Sequence, residues 1–267
     1  MNSTTKLQLK LESLPKDAKI LDAGGWFKPF DYATHVVDLM PWETRRAKLQ
    51  LEQLPHERFT KETWYQINFL EENLKLPFDN KSFDFSFCSH TLEDLKQPLY
   101  LIQELMRVSK AGYIEVPSRL AEQTVAIEDG CSSKLGYFHH HYIVDEGDNN
   151  TLIFYSKENS LNINPQTCAI PLLTYRRLTA KNPNLSIISF FWEDNFSVKF
   201  ESGNTAYDKA RKYRNSLNIP QTEILQNNLL LIGRKLRTTL SKKYQKPTDD
   251  WWNEIIKISQ PYSKIHI

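Results

Sequence analysis

The sequence predicts an α/β protein built on a mainly parallel sheet, and three observations carry that prediction. Short apolar or β-branched runs alternate with helical spacing through residues 1–117. Each run ends on small or polar residues: Asp22-Ala23-Gly24-Gly25, Asp38, Asn68 and Cys88-Ser89-His90. Two of only 8 glycines, Gly24 and Gly25, are adjacent, in a chain with far less glycine than the usual share of about 7%. Ligands of parallel sheets bind beyond the carboxyl ends of the strands, so these run ends are the candidate functional positions.

Taken in order, residues 19–22 form a short buried strand running into the glycine pair. A second, β-branched strand spans 35–39 and carries Asp38. Residues 43–54 show helical spacing with Pro55 as a stop. A third strand is expected over 64–69 and a fourth over 83–88, after the turn Pro77-Phe78-Asp79-Asn80. Pro98 opens a helix through Lys110 with the stripe Leu99, Ile102, Leu105, Met106 and Val108. Gly112 ends it before a fifth strand over 113–117.

The second half is less regular. Residues 137–145 and 151–157 flank Glu146-Gly147-Asp148-Asn149-Asn150, a hairpin signal. A second antiparallel pair is expected from 185–191 and 196–201, and two helices from 205–216 and 222–240. Residues 158–184 read as loop or short helix, and there is no internal repeat. The division is therefore a core over 1–118, a hairpin-containing region over 119–203 and a helical segment over 204–267.

The whole chain carries 34 basic and 32 acidic residues, but 204–267 alone holds 12 Lys and Arg against 5 Asp and Glu. That basic end reads as a solvated helix face, with attraction to an anionic partner as the alternative. Cys88, Cys131 and Cys168 have no paired ligand or redox spacing, as expected of reduced thiols in a cytosolic protein. No apolar leader and no run of 18 apolar residues is visible, so neither secretion nor a membrane span is expected.

Together, Ile20-Leu21-Asp22-Ala23-Gly24-Gly25, Val37-Asp38, Leu76-Pro77-Phe78-Asp79 with Ser82-Phe83-Asp84, and Ser89-His90-Thr91-Leu92-Glu93-Asp94-Leu95 resemble a class I S-adenosylmethionine-dependent methyltransferase. The pattern is similar to the small-molecule branch, whose helix-to-fifth-strand passage is matched by Gln103-Glu104-Leu105-Met106-Arg107-Val108. The resemblance covers about residues 18–118 and implies a Rossmann-like sheet with helices on both faces.

It also implies S-adenosyl-L-methionine as cofactor, S-adenosyl-L-homocysteine as product and a small-molecule acceptor. Asp22, Ala23, Gly24, Gly25 and Trp26 would shape the loop at the methionine part. Asp38, with Leu39, would accept the ribose hydroxyls; Asn68 and Phe69 would meet the adenine; Cys88, Ser89 and His90 would line the methyl end. Where the family carries a further glycine, this chain has Trp26, and only ten residues separate Gly24 from His35, too few for a full first helix. A nicotinamide enzyme is the competing use of a strand–glycine–acid layout, but G-x-G-x-x-G is missing at Gly24-Gly25-Trp26-Phe27-Lys28-Pro29.

His90 is the first candidate base, because it follows strand four; a loop-capping role is the alternative. On a strand, His139 and His141 would share one side, which makes them the second candidates, and His140 would face the other. A metal site at these histidines lacks a partner fixed by spacing, so no metal is assigned. The amino-directed nucleic-acid motif Asn/Asp-Pro-Pro-aromatic is replaced by Cys88-Ser89-His90-Thr91, which disfavours a DNA-adenine or -cytosine amino activity, and nucleic acid is not the expected partner. An RNA-directed enzyme, with Trp251 and Trp252 stacking on bases, and a non-catalytic binding protein of the same fold stand as alternatives.

Overall fold

The computed structural model describes residues 3–45, 55–130, 134–157 and 165–240. The expected helix end over 46–54, Cys131, Trp251, Trp252 and the basic stretch after residue 240 lie outside these. The described residues divide into two units, the first lying within 1–116 and 189–196, the second within 117–188 and 197–240.

The first unit begins with α1 (Ser3–Glu12). Its sheet contains β1 (Ile20–Ala23), β2 (His35–Asp38), β3 (Trp64–Gln66), β4 (Phe85–Ser89) and β5 (Ala111–Pro117). The strand Ile187–Glu193, numbered β8 in chain order, closes the order β3-β2-β1-β4-β5-β8. β1 is buried along its whole length and pairs in parallel with both neighbours, Asp22 opposite Val36 on one side and Phe87 on the other. An apolar run with no polar face is what a parallel strand covered on both faces requires. The chain leaves β1 toward β2 and β3, then returns to β4 on β1's other side. The crevice between the carboxyl ends of β1 and β4 is thus the topological switch point.

Apolar side chains at helical spacing fix the covering elements. Leu7 and Leu11 of α1, with Leu14, pack on the cluster of Ile20, Phe85, Ala111 and Tyr113. Helix α2 (Pro98–Val108) buries Leu101, Ile102, Leu105 and Val108, whereas Leu99, expected in its stripe, is exposed. Burying each such side chain contributes about 1.5–3 kcal/mol.

The Leu76-Pro77-Phe78 signature is tied to α2. Arg107 Nη2 donates to the Leu76 carbonyl at 2.9 Å and Nη1 to the Phe78 carbonyl at 2.8 Å, while Glu104 Oε2 accepts the Leu76 N–H at 2.6 Å. The two side chains also pair with each other at 2.6 Å. Arg107→Ala strips two carbonyls of a donor and leaves the mostly buried Glu104 without its cation. The expected loss is about 2–4 kcal/mol, read as a lowered denaturant midpoint at unchanged m-value. An unchanged midpoint would show that the clamp is incidental.

Three expectations for the first unit need correction. Strand three stops at Gln66, because Asn68 Oδ1 takes the Leu70 N–H at 3.1 Å and turns the chain. Of the helix expected from residue 43, the described part is a single 3₁₀ turn, Trp42–Thr44. The segment 187–193 does not pair with the strand that follows it but extends the main sheet beside β5. There Trp192 packs so closely on Gly112 that an added Cβ would lie 2.7 Å from its ring.

The second unit carries α3 (Arg119–Glu122), β6 (Tyr142–Gly147), β7 (Thr151–Ser156), α4 (Pro165–Cys168), α5 (Leu172–Lys181), β9 (Ser197–Glu201), α6 (Gly203–Ser216) and α7 (Gln221–Leu240). β6 and β7 form the expected hairpin, with Gly147 opposite Thr151 and both Asn149 and Asn150 at positive φ in the turn. β9 adds to β7 in parallel, not antiparallel to the segment before it. Its core joins Leu135, Ile143, Tyr155, Cys168, Ala206 and Ala210. The buried Arg119 pairs with Asp145 at 2.8 Å and lies over the Tyr155 ring. Among the described residues no helix is long and apolar enough to cross a membrane.

Candidate functional site

At the switch point, Asp22 is the last residue but one of β1 and is buried, and its Oδ2 accepts the Phe30 N–H at 2.8 Å. The chain between them folds back on itself instead of starting a helix, as the short spacing to His35 requires. Gly24 adopts φ +87°, and an added Cβ would lie 1.9 Å from Thr91 Oγ1; at Gly25 it would lie 2.2 Å from Asp22 Oδ2. Both glycines are therefore demanded by the protein's own packing, with Thr91 and Asp22 filling the space.

Asp38 ends β2 with only 4% exposure. Its Oδ1 accepts the Met40 N–H at 2.7 Å and its Oδ2 the Trp26 N–H at 2.9 Å. The Trp26 indole N–H is anchored on Thr44, 3.0 Å from its carbonyl. Burial pushes the carboxyls of Asp22 and Asp38 each up to about 7; their backbone donors oppose the shift, and for Asp22 the nearby Asp38 adds to it.

His90 follows β4 in a left-handed conformation, φ 52°, with its N–H donating to the Glu115 carbonyl at 2.9 Å. That conformation is uncommon outside glycine and places the imidazole between two carboxylates. Nδ1 lies 3.4 Å from Glu93 Oε1 and Nε2 3.7 Å from Glu115 Oε1, while the ring is half exposed. Glu93 raises the His90 pKa above its ordinary value, with Glu115 adding to the effect and partial burial opposing it. Glu93 is buried with neither oxygen hydrogen-bonded. Glu115 accepts from Ser89 Oγ at 3.2 Å and from Tyr113 OH, which also reaches Ser189 Oγ at 3.0 Å. The cluster thus offers an imidazole flanked by two carboxylates, at the end of the strand nearest β1.

The sequence of residues 23–114 matches the family model described as a methyltransferase domain. These residues are a methyltransferase domain. The domain implies S-adenosylmethionine as its cofactor. A search of curated proteins gives no match. Among solved structures, the chain is similar to a SAM-dependent methyltransferase from Aquifex aeolicus at 20% identity, over 43% of this chain and 64% of that one, with TM-score 0.29. It is similar to the YcgJ protein from Bacillus subtilis at 20% identity, over 42% of this chain and 50% of that one, with TM-score 0.30. A third likeness is to the complex between the Haloferax volcanii Trm112 methyltransferase activator and a methyltransferase, at 13% identity, over 72% of this chain and 88% of that one, with TM-score 0.40. The chain spans about half to two thirds of the length of the first two.

Within the methyltransferase domain the donor set fits the cofactor: an acid at the end of β2, a glycine turn at the end of β1 and polar groups at the end of β4. A carboxylate has about four acceptor positions, and two of Asp38's are taken by Trp26 and Met40. Asn68 is turned into its own loop, its Nδ2 3.3 Å from Glu71, and Phe69 is buried. Leu39 lends its carbonyl to Gln66, and Cys88 is buried with its thiol pKa pushed up by burial. Ala23 is buried, with its carbonyl 3.4 Å from Thr91 Oγ1.

His139 and His141 lie in the second unit, and the expected strand parity does not apply to them. They precede β6 in a turn that follows Gly136 at φ +60°, where a Cβ would come within 2.4 Å of the Glu122 carbonyl. His139 faces Glu128 at 3.5 Å; the buried His140 bonds Glu122 at 2.5 Å, and Lys157 bonds the same carboxylate at 2.7 Å. The His141 carbonyl accepts the Lys157 N–H. Sequence reasoning passed over Thr91, Glu93, Tyr113 and Glu122. The one local signal was the run Ser89-His90-Thr91-Leu92-Glu93, with a histidine and a glutamate three residues apart.

Proposed function

We propose that this chain transfers a methyl group from S-adenosylmethionine to a small-molecule acceptor, at oxygen or nitrogen, as a cytosolic enzyme. The observation that carries the reading is the meeting, at one switch point, of the Asp22–Trp26 turn and Asp38 with the His90–Glu93–Glu115 cluster. The cofactor, when bound, supplies an electrophilic methyl on sulfonium. Asp38 would accept the ribose hydroxyls, and the backbone of Gly24 and Gly25 would border the methionine part. What remains for the protein is alignment, which supplies ~7–11 kcal/mol in well-oriented reactions.

His90 stands where the acceptor would meet the methyl. With its pKa raised above the ordinary value by Glu93, the ring holds its proton to higher pH than a free imidazole and acts as a base only once that proton has left. Activity should therefore climb with pH through and above the ordinary histidine range. In His90→Asn the climb should vanish and turnover fall about a hundredfold. A variant with the wild-type profile would remove His90 as base and leave it a positioning residue.

The Trp26 N–H seated on Asp38 favours one competing reading, a binding protein of the same fold that has closed its cofactor site. Calorimetry with S-adenosylmethionine and S-adenosylhomocysteine decides: micromolar binding of either supports the enzyme, and binding of neither sinks it. A methyl-transfer screen against metabolite extracts then identifies the acceptor, and the same screen against RNA tests the nucleic-acid alternative.

A further inference from the structure

Helix α7 carries two faces of different character. Its inner face is held by polar contacts at 223, 227 and 234: Glu223 pairs with Arg177 at 3.3 Å, Asn227 Oδ1 accepts the Leu173 N–H at 3.2 Å, and Arg234 donates to the Gly130 carbonyl at 2.9 Å. Its outer face presents Leu225, Leu229, Ile232 and Leu236, exposed at 62, 69, 57 and 57%. Four large apolar side chains in one line leave a continuous hydrophobic seam in water, unlike scattered single exposures, which need no explanation.

The steps between these residues are four, three and four, an average close to the 3.5-residue repeat of a helix seam that packs against another helix. That spacing is also its own reverse. Turned end for end, the line sets Leu225 opposite Leu236 of a second copy and Leu229 opposite Ile232 of a second copy, so the face complements itself about a two-fold axis. The same register sets Asn228 against the second copy's Gly233, around which no atom lies within 4 Å of a built Cβ. A glycine inside a helix costs about 1 kcal/mol relative to alanine, and here its bare backbone leaves room for the facing amide.

Charge selects the antiparallel direction. Residues 221–233 hold one charged group, Glu223, whereas 234–240 hold Arg234, Lys235 and Arg237. Arg234 is turned to the inner face, but a parallel pair would still set Lys235 and Arg237 beside a second Lys235 and Arg237. The antiparallel pair separates them to opposite ends, each beside the partner's first half, whose one charged group, Glu223, is turned to the inner face.

We propose that this chain forms an antiparallel homodimer through the Leu225–Leu229–Ile232–Leu236 face of α7. The seam spans about 16 Å of helix, so the expected dimer is of the weak class, dissociating on the order of micromolar.

Sedimentation velocity of the full chain from about 1 to 100 µM should show a reversible monomer–dimer shift. Leu229→Glu and Ile232→Glu, both at exposed positions, should abolish it with unchanged circular dichroism and thermal midpoint. For direction, chains carrying Leu225→Cys should cross-link with chains carrying Leu236→Cys far more than with themselves. A monomer at 100 µM, a dimer indifferent to Leu229→Glu, or preferential Leu225→Cys self-linking would each overturn the proposal. So would a full chain that stays monomeric while a version ending at residue 240 dimerises, because the occupant would then be the chain's own last segment.

Discussion

Asp38→Ala should weaken binding of S-adenosylhomocysteine at least tenfold, about 1.4 kcal/mol, while the protein stays folded. Charge-assisted hydrogen bonds contribute about 1.5–3 kcal/mol each, and the proposed site sends both ribose hydroxyls to this one carboxylate. The variant also frees the Met40 and Trp26 amides, so Asp38→Asn, which keeps an acceptor for one of them, belongs beside it. The two separate loss of charge from loss of packing. Burial adds a pH signature, because the carboxyl titrates at about 7 and accepts ribose hydroxyls best when ionised. Below that pH a proton must leave before binding, so affinity should fall up to about tenfold per unit of acidification and level off above 7. In Asp38→Asn the slope should be gone. Unchanged affinity in Asp38→Ala would place the ribose elsewhere.

How far the residues alone revealed this site follows from which interactions are local. β1, β2 and β4 were legible because strands buried on both faces are short apolar runs, and their carboxyl ends carried Asp22, Asp38 and His90. The absence of a first helix was legible from chain length between Gly24 and His35. The partner of residues 187–193 was not: a strand with Phe190 and Trp192 buried satisfies either neighbour, and the choice was made by Gly112, eighty residues away, which admits the tryptophan. The turn before β6 was also hidden, since Gly136 takes its left-handed conformation against the Glu122 carbonyl, a contact between distant segments. Glu93 and Thr91 stand in the quoted motif, but their roles were hidden for the same reason, existing only once β1, β4 and β5 lie side by side. The Leu76-Pro77-Phe78 signature pointed to the right fold for a reason that concerns stability, because α2 clamps it through Glu104 and Arg107.

Asp22→Asn should change how stability depends on pH. The folded protein holds the Asp22 proton up to about pH 7, against an ordinary value of 3.8. Between those values the folded state binds more protons than the unfolded one, so this group's contribution is full below about pH 4 and is lost as pH rises through 7. At roughly 1.4 kcal/mol per unit, the loss is of order 4 kcal/mol as an upper figure. Asparagine keeps an oxygen for the Phe30 N–H and removes the titration. Melting curves of wild type and variant should therefore converge or cross: the variant gains on wild type from pH 5 to pH 8 by about 5 °C or more. Parallel curves would mean that Asp22 ionises near its ordinary value inside the fold. Asp38 is buried beside it and its charge raises the pH at which Asp22 ionises, so Asp38→Asn should lower that pH by removing a neighbouring negative charge. In Asp38→Asn the loss of the Asp22 contribution to stability would then set in at lower pH than in wild type. That shift distinguishes two coupled carboxylates of one site from two independent acids that share only burial.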